Sequence, residues 1–228
     1  MIDIAVCKQK LCQGLMAMDV ILDDQKISLL LHYLSEFVKW NKAYNLSAVR
    51  DPLKMVERHL LDSLALVPLL EKAHDKQRII DVGTGGGLPG IPLAIVFTDS
   101  QITLLDSNGK KTRFLFQVKM ALDLNNLTIA NTRVETYQPD EGFDIVVSRA
   151  FASLQYMVKG TGHLLNQHGR FWAMKGVYPE NELRDCEKNA IVESSKSLNI
   201  PEQQGERHLL ILKPVTSEAV INWDKPEL

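Results

Sequence analysis

The sequence predicts an α/β protein in which a doubly wound, mostly parallel sheet lies behind a helical N-terminal cap. One observation is a change of period: the first 75 residues repeat apolar residues at helical spacing, and short apolar runs follow. Another is that these runs alternate with stretches suited to helices, which predicts right-handed βαβ crossovers. The runs are nearly continuous, as in strands buried on both faces. We therefore expect a cap over residues 1–75 and one compact sheet domain over residues 76–228.

The cap contains two recognisable helix starts. Apolar residues follow helical spacing between Ile27 and Val38, and Asp23 or Asp24 is placed to cap that helix. Asp51-Pro52 is a second start, with a capping residue followed by proline at the first helical position. Both signals predict helices before the sheet begins.

Six short apolar runs predict the strands. They cover residues 78–82, 101–105, 127–130, 143–147, 169–174 and 207–212. Residues 110–122 have the pattern of a helix between the second and third runs. The stretches between the first five runs are suited to helices, so we expect parallel pairing among these five strands.

Composition excludes several classes of protein. The 228 residues contain 26 Lys and Arg against 28 Asp and Glu, a formal net charge of −2. This balance argues against a globally basic nucleic-acid binder but permits a basic patch on one face. We find no membrane-spanning run, no signal peptide and no zinc-ligand spacing among the three cysteines. We expect a cytoplasmic protein, a monomer, with no metal site and no membrane partner.

The first predicted strand runs into a loop in which five of the eight residues from Gly83 to Gly90 are glycine. Such a loop can turn tightly and approach a ligand closely. A helix near Pro92 would turn its N-terminal amides toward the loop. Each ordered glycine costs roughly 0.5–1 kcal/mol in conformational entropy, so a ligand-binding role is favoured over a purely structural turn.

Two classes of cofactor fit this loop in different registers. Residues 85–90 match the GxGxxG of dinucleotide sites, and Asp106 follows about 20 residues later. A nucleotide-linked oxidoreductase is therefore one alternative. In dinucleotide sites the first glycine of the motif directly follows the strand. Here the strand ends at Gly83, so Gly85, the first glycine in this register, comes two residues too late. Counted from Asp81, the segment matches Asp-x-Gly-x-Gly-x-Gly, the loop of S-adenosylmethionine-dependent methyltransferases. A P-loop is excluded, because no glycine precedes Gly109 at the required spacing.

Two acidic residues follow the next strands. Asp106 ends the second strand, where a carboxylate can accept hydrogen bonds from both ribose hydroxyls. Capping the following helix is the alternative role, but Ser107 or Asn108 can supply that cap. Glu135 follows the third strand, where a methyltransferase sheet places its adenine contacts, although a surface acid is the simpler interpretation of this residue alone.

The end of the fourth strand restricts the chemistry. Residues 148–151 read Ser-Arg-Ala-Phe and lack the Asn/Asp-Pro-Pro-aromatic motif of amino-group methyltransferases. No cysteine lies near enough to serve as the nucleophile in carbon-5 methylation of pyrimidines. A target with a free lone pair, such as guanine N7, fits what remains. We therefore expect no catalytic acid or base, and we expect Arg149 to orient the substrate.

Together these segments resemble the bacterial 16S rRNA guanine-N7 methyltransferases of the G subtype, the glucose-inhibited division protein B family. The resemblance is carried by residues 39–46, 58–63, 81–92, 104–107, 148–153 and 205–208. It implies a Rossmann-like class I methyltransferase fold, S-adenosylmethionine as cofactor, and methylation of a guanine in the decoding-region loop of 16S rRNA. The substrate would be free rRNA or the small ribosomal subunit.

The resemblance also implies which residues contact the cofactor. Its cofactor positions are Gly83, Leu88, Val134, Glu135 and Arg149, to which the loop and strand arguments add Gly85 and Asp106. Gly86 departs from the family, which commonly has proline there, so we expect a looser loop. A non-enzymatic ribosome-binding protein with a degenerate fold is a further alternative, and the intact loop argues against it.

Basic residues near these positions are candidates for RNA contact. The candidates are Arg58, His59, Lys110, Lys111, Arg133 and Arg207. Arg133, Arg149 and Arg207 each follow or begin a strand, where they would clamp phosphates or stack on a flipped base. The two lysines also fit an ordinary solvated helix face, and His59 also fits a local pair with Asp62.

Overall fold

The computed structural model describes residues 2–73, 76–149, 151, 153–202 and 204–215. Residues 74 and 75, where we expect the cap to give way to the sheet domain, lie outside the described residues. That boundary therefore stays a prediction.

The N-terminal region is helical, as predicted. Its segments are α1 (Ile4–Ala17), α2 (Asp24–Tyr44), α3 (Pro52–Met55), a π-helical segment (Val56–Leu61), α4 (Asp62–Leu64), α5 (Val67–Leu70) and a 3-10 turn (Glu71–Ala73). Asp23 caps α2 by accepting a hydrogen bond from the Lys26 amide at 2.7 Å. Asp51 caps α3 by accepting from the Leu53 amide at 3.0 Å, with proline in the first turn. Both predicted helix starts are confirmed.

In the part of the chain that the structure describes, the sheet has seven strands in the order β3-β2-β1-β4-β5-β7-β6. The strands are β1 (Arg78–Val82), β2 (Gln101–Leu105), β3 (Leu127–Ala130), β4 (Phe143–Ser148), β5 (Leu165–Lys175), β6 (Ala190–Ser197) and β7 (His208–Pro214). The first five strands pair in parallel, while β7 runs antiparallel to both β5 and β6. The remaining helices are α6 (Gly90–Val96), α7 (Gly109–Ala121), α8 (Leu154–Thr161) and α9 (Glu180–Cys186). The predicted doubly wound, mostly parallel sheet is confirmed.

Two features of the sheet differ from the prediction. Strand β6 was not predicted, because only its first three residues, Ala190 to Val192, are apolar. Among the described strands it pairs with β7 alone, at the sheet edge. The connection from β3 to β4 was expected to hold a helix, but the described structure there has a 3-10 turn at Val134–Thr136. With no α-helix in that connection, Val134 and Glu135 lie directly beside the carboxyl ends of the strands.

Among the described residues, the buried core forms two clusters on opposite faces of the sheet. Ile79 belongs to one cluster and its neighbour Ile80 to the other, as expected for alternating side chains of a central strand. The first cluster joins cap residues such as Leu30 and Leu60 to Phe114 of α7. Helix α2 packs on both α6 and α7. The cap therefore shares its core with the sheet and lies beside the glycine-rich loop.

Candidate functional site

The glycine-rich loop leaves β1 at the carboxyl edge of the sheet. The Gly83 and Thr84 amides both donate to the Leu105 carbonyl at the end of β2, at 2.9 and 3.2 Å. Gly83, Gly85 and Gly87 have φ angles of +69°, +60° and +89°. Residues with a side chain rarely adopt this left-handed region, so the loop requires glycine at these three positions.

Asp81 ties the two ends of this loop together. Its Oδ2 accepts a hydrogen bond from the Thr84 hydroxyl at 2.7 Å and another from the Gly90 amide at 2.8 Å. Its Oδ1 is buried and has no hydrogen-bond partner among the described residues. Burial raises the pKa of Asp81 to about 6, against the lowering effect of the two hydrogen bonds. The sequence placed Asp81 in the loop motif but gave it no role.

Helix α2 holds the centre of the loop. The Tyr33 hydroxyl donates to the Gly86 carbonyl at 2.6 Å. A Cβ at Gly86 would lie 2.4 Å from Cε2 of the buried Phe37, so the ring occupies the space that a side chain would need. Two contacts from α2, which the sequence did not reveal, therefore oppose the looser loop that we expected from Gly86.

A cavity of about 310 Å³ opens at the carboxyl ends of β1, β2 and β3, a typical position for a ligand in a sheet of this kind. Its walls bring together four predicted cofactor residues, which are Gly83, Asp106, Val134 and Glu135. The other lining residues are Val82, Leu105, Ser107, Thr132, Arg133, Phe151 and Tyr156. The cavity thus combines two carboxylates with apolar and aromatic surface.

Asp106 connects the cavity to the glycine-rich loop. Its Oδ2 accepts from the Gly85 amide at 3.0 Å, and its Oδ1 accepts from the Asn108 amide at 2.8 Å. Asn108, not Asp106, caps α7 by accepting from the Lys110 and Lys111 amides. Asp106 therefore fixes the loop while its carboxylate lines the cavity.

Two aromatic residues of the cavity were missed by the sequence reasoning. The Tyr156 hydroxyl donates to Glu135 Oε1 at 3.3 Å, and the Phe151 and Tyr156 rings are 5.7 Å apart. Phe151 was quoted only as part of the motif after β4. Tyr156 lies on the exposed side of α8, and no spacing in the sequence connects it with Glu135.

Arg149 lies in a second group of charges, outside the cavity wall. Its Nη1 donates to the Arg58 carbonyl at 3.1 Å and to Asp62 Oδ2 at 3.2 Å. The Arg207 Nε donates to the other oxygen of Asp62, also at 3.2 Å. Burial raises the pKa of Asp81, and the positive charge of Arg149 offsets part of this rise, so this group lies close enough to influence the glycine-rich loop electrostatically.

The chain is similar to known proteins over most of its length. A family model described as rRNA small subunit methyltransferase G matches residues 26–210. The chain belongs to this family.

Two relatives show how far the similarity extends. Ribosomal RNA small subunit methyltransferase G of Saccharophagus degradans is 55% identical over 196 residues, which cover 86% of this chain and 86% of the relative. The protein of the same name from Cellvibrio japonicus is 54% identical over 212 residues, which cover 92% of this chain and 96% of the relative. The family model and these relatives support neither the oxidoreductase nor the non-enzymatic alternative.

A solved structure supports the fold. The crystal structure of ribosomal protein L11 methylase from Lactobacillus delbrueckii subsp. bulgaricus matches with a TM-score of 0.52 at 16% identity. The match covers 66% of this chain and 76% of that chain. The fold of this methyltransferase G family member is therefore Rossmann-like, as the resemblance implied.

Two of the predicted site residues of this methyltransferase G chain, Leu88 and His59, are buried and do not line the main cavity. Leu88 packs in the first core cluster and is not part of the cavity wall. His59 is 7% exposed, and its Nε2 lies 2.8 Å from the Ser47 hydroxyl. Burial, with a smaller effect of Arg149, lowers the pKa of His59 to about 4, so the ring is neutral at pH 7. The structure therefore gives no support to direct RNA contact by His59.

The alternative pairing of His59 with Asp62 is wrong, because the Asp62 carboxylate binds two arginines instead. The other basic candidates lie at four places. Arg58 lines a separate cavity with Arg50 and Lys54. Arg133 lines the main cavity, and Arg207 lies beside Arg149. Lys110 and Lys111 lie in the first turn of α7.

Within the described ranges, no three His, Cys, Asp or Glu side chains are grouped so that they could hold a metal ion. Over the same part of the chain, no helix is long and apolar enough to cross a membrane.

Proposed function

We propose that this chain transfers the methyl group of S-adenosylmethionine to N7 of a guanine in the 16S rRNA of the small ribosomal subunit. Membership of the methyltransferase G family supports rRNA methylation. The observation that carries the proposal is the cavity in which the glycine-rich loop meets Asp106 and Glu135. The protein would act in the cytoplasm, as a monomer, with rRNA or the subunit as its partner.

The residues of the cavity fit a nucleoside. A volume of about 310 Å³ lies within the range of small-molecule sites, roughly 300–1,000 Å³. Asp106 offers carboxylate oxygens to ribose hydroxyls, and Glu135 with Val134 offers a polar and an apolar contact to the adenine. A Cβ at Gly83 would meet nothing within 4 Å, so the backbone there is open toward the cavity it lines.

The charge group behind the loop fits the amino-acid end of the same cofactor. Asp62 is shared by two guanidiniums, which leaves one net positive charge. A guanidinium has five N–H donors, and the Arg149 bonds to Arg58 and Asp62 both use Nη1. Arg149 would therefore bind the cofactor carboxylate, while Gly85 and Leu88 keep the loop in position.

The main contribution of the protein to this reaction would be to position the cofactor and the guanine. When bound, S-adenosylmethionine supplies a methyl group activated by a sulfonium charge. Guanine N7 in neutral RNA has a free lone pair and carries no proton, so no residue has to act as a base. Asp106 and the glycine-rich loop would hold the cofactor, and Arg149 would orient the reactants. The gain in rate would therefore come from placing the methyl group and N7 correctly.

Cofactor binding tests the proposal cheaply. S-adenosylmethionine, added to the purified protein, should raise the melting temperature in a concentration-dependent way, because a ligand that binds only the folded state stabilises it. Nicotinamide dinucleotide at the same concentrations should not. A shift with the dinucleotide alone, or with neither compound, would contradict the proposal.

A further inference from the structure

The exposed face of α7 combines cations with apolar side chains. The helix contains Lys110, Lys111, Arg113 and Lys119 and no acidic residue, in a chain whose acids slightly outnumber its bases. On the same helix Phe116 is 50% exposed and Met120 is 77% exposed. A face that is merely solvated explains the cations but not the exposed ring between them.

The helix geometry places these residues on one surface. Thr112, Phe114, Leu115 and Val118 are buried, which fixes the inward side of α7. Lys110, Arg113, Phe116 and Met120 follow at spacings of three and four, so they are neighbours on the outward side. We call these four residues the α7 face. At about 1.5 Å per residue, the α7 face extends for about 15 Å.

The α7 face starts at the edge of the main cavity. Asp106 and Ser107 line the cavity, Asn108 caps the helix, and Lys110 follows one residue after the helix begins. The Lys111 ammonium lies 3.5 Å from Asp106 Oδ2. A polymer whose reacting base enters the cavity region would therefore have its neighbouring nucleotides within reach of α7.

We propose that the α7 face binds single-stranded RNA next to the target guanine, with Phe116 stacking on a base and with Lys110 and Arg113 contacting phosphates. This inference rests on the proposed function. Non-sequence-specific binding of single strands uses this combination of cations along a backbone and aromatic rings under the bases. A duplex hides the faces of its bases, so the exposed ring favours an unpaired strand.

Substitutions at Phe116 distinguish stacking from general apolar contact. Phe116→Leu keeps an apolar side chain but removes the ring, whereas Phe116→Tyr keeps the ring. We expect the leucine variant to bind a labelled, guanine-containing single-stranded RNA oligonucleotide about five-fold or more weakly, and the tyrosine variant to bind like the wild type. Arg113→Gln should reduce the slope of log K against log salt by about 0.7, as expected for one lost phosphate contact on a single strand.

A matched control lies at the opposite edge of the sheet. Ile191→Ser with Lys196→Gln removes an exposed apolar side chain and an exposed cation from β6, and RNA affinity should not change. Calorimetry with S-adenosylmethionine should give the same affinity for the wild type and all these variants, which also shows that they fold. If the wild type fails to bind S-adenosylmethionine, the proposed function fails, whereas the RNA measurements still decide the role of α7.

Three results would overturn the inference. RNA binding by Phe116→Leu could equal that of the wild type. The leucine and tyrosine variants could be weakened equally. Phe116→Leu and Arg113→Gln could each weaken binding to the assembled small subunit while leaving binding to the free oligonucleotide unchanged. That result would assign the α7 face to a protein partner.

Discussion

Asp106 shows how one carboxylate can order a loop and also line a cavity. It accepts the Gly85 and Asn108 amides, and it lines the cavity at the end of β2. Because a hydrogen bond to a charged group contributes about 1.5–3 kcal/mol, Asp106→Ala should weaken S-adenosylmethionine binding by that amount. Calorimetry measures the change directly.

The control for this substitution is Asp99→Ala. Asp99 is an exposed acid just before β2, at the other end of the strand that Asp106 follows. Its removal changes the net charge equally and should leave cofactor affinity unchanged. Equal affinity in the Asp106 variant and the wild type would remove Asp106 from the ribose site.

Asp81 makes stability depend on pH. Its pKa is raised by burial from 3.8 to about 6, so the folded chain keeps a proton that the unfolded chain has released. The stability contributed by the protonated form is complete below about pH 4 and is lost as pH rises toward about 6, by about 3 kcal/mol in total. Asp81→Asn should remove this dependence, and chemical denaturation at a series of pH values measures it.

His59 acts in the opposite direction over the same range. Its pKa is lowered to about 4, so its stabilising neutral form is lost as pH falls from about 6.5 to about 4. The wild-type profile alone therefore combines two opposing contributions. The Asp81 prediction is contradicted if the difference in free energy of unfolding between wild type and Asp81→Asn is the same at pH 4 and pH 7.

At the scale of elements, α2 and the glycine-rich loop have complementary shapes. The Phe37 ring occupies the space that a Cβ at Gly86 would need, and the Tyr33 hydroxyl donates to the Gly86 carbonyl. Gly86→Ala should therefore destabilise the protein by about 1–3 kcal/mol, the usual effect of overpacking. Thermal or chemical denaturation measures this effect.

A second substitution tests the cause. Phe37→Leu removes the ring that clashes, so the double variant should be more stable than the sum of the two single effects predicts, by about 1 kcal/mol. Strict additivity would mean that the effect of Gly86→Ala arises elsewhere. Gly160→Ala in α8 is the control, since a Cβ there meets nothing within 4 Å.

The sequence predicted best those elements whose signals are local. The bounds of β1, β2 and β3 follow directly from apolar runs, and the helix starts follow from Asp23 and Asp51. Strand β6 was missed because an edge strand with one solvated face lacks such a run. The sequence also missed contacts between distant segments, which have no local signal: Tyr33 with Gly86, Tyr156 with Glu135, and Asp62 with two arginines.

At the scale of the whole molecule, the cap and the sheet act as one support for the site. The first core cluster contains residues from both, and α2 packs on α6 and α7. The Asp62 group likewise joins the cap to the end of β4 and the start of β7. The loop is thus held from the sheet side by Asp81 and Asp106 and from the cap side by α2.

The position of the transferred methyl group tests the central claim most directly. The protein is incubated with S-adenosylmethionine labelled in its methyl group and with small ribosomal subunits that lack the modification. The 16S rRNA is then isolated and treated by reduction and aniline, which cleave the chain at N7-methylguanine. We predict label in the 16S rRNA and cleavage at one guanine, with both reduced in the Asp106→Ala variant. Label in RNA that resists cleavage, or no transfer to the rRNA, would contradict the account.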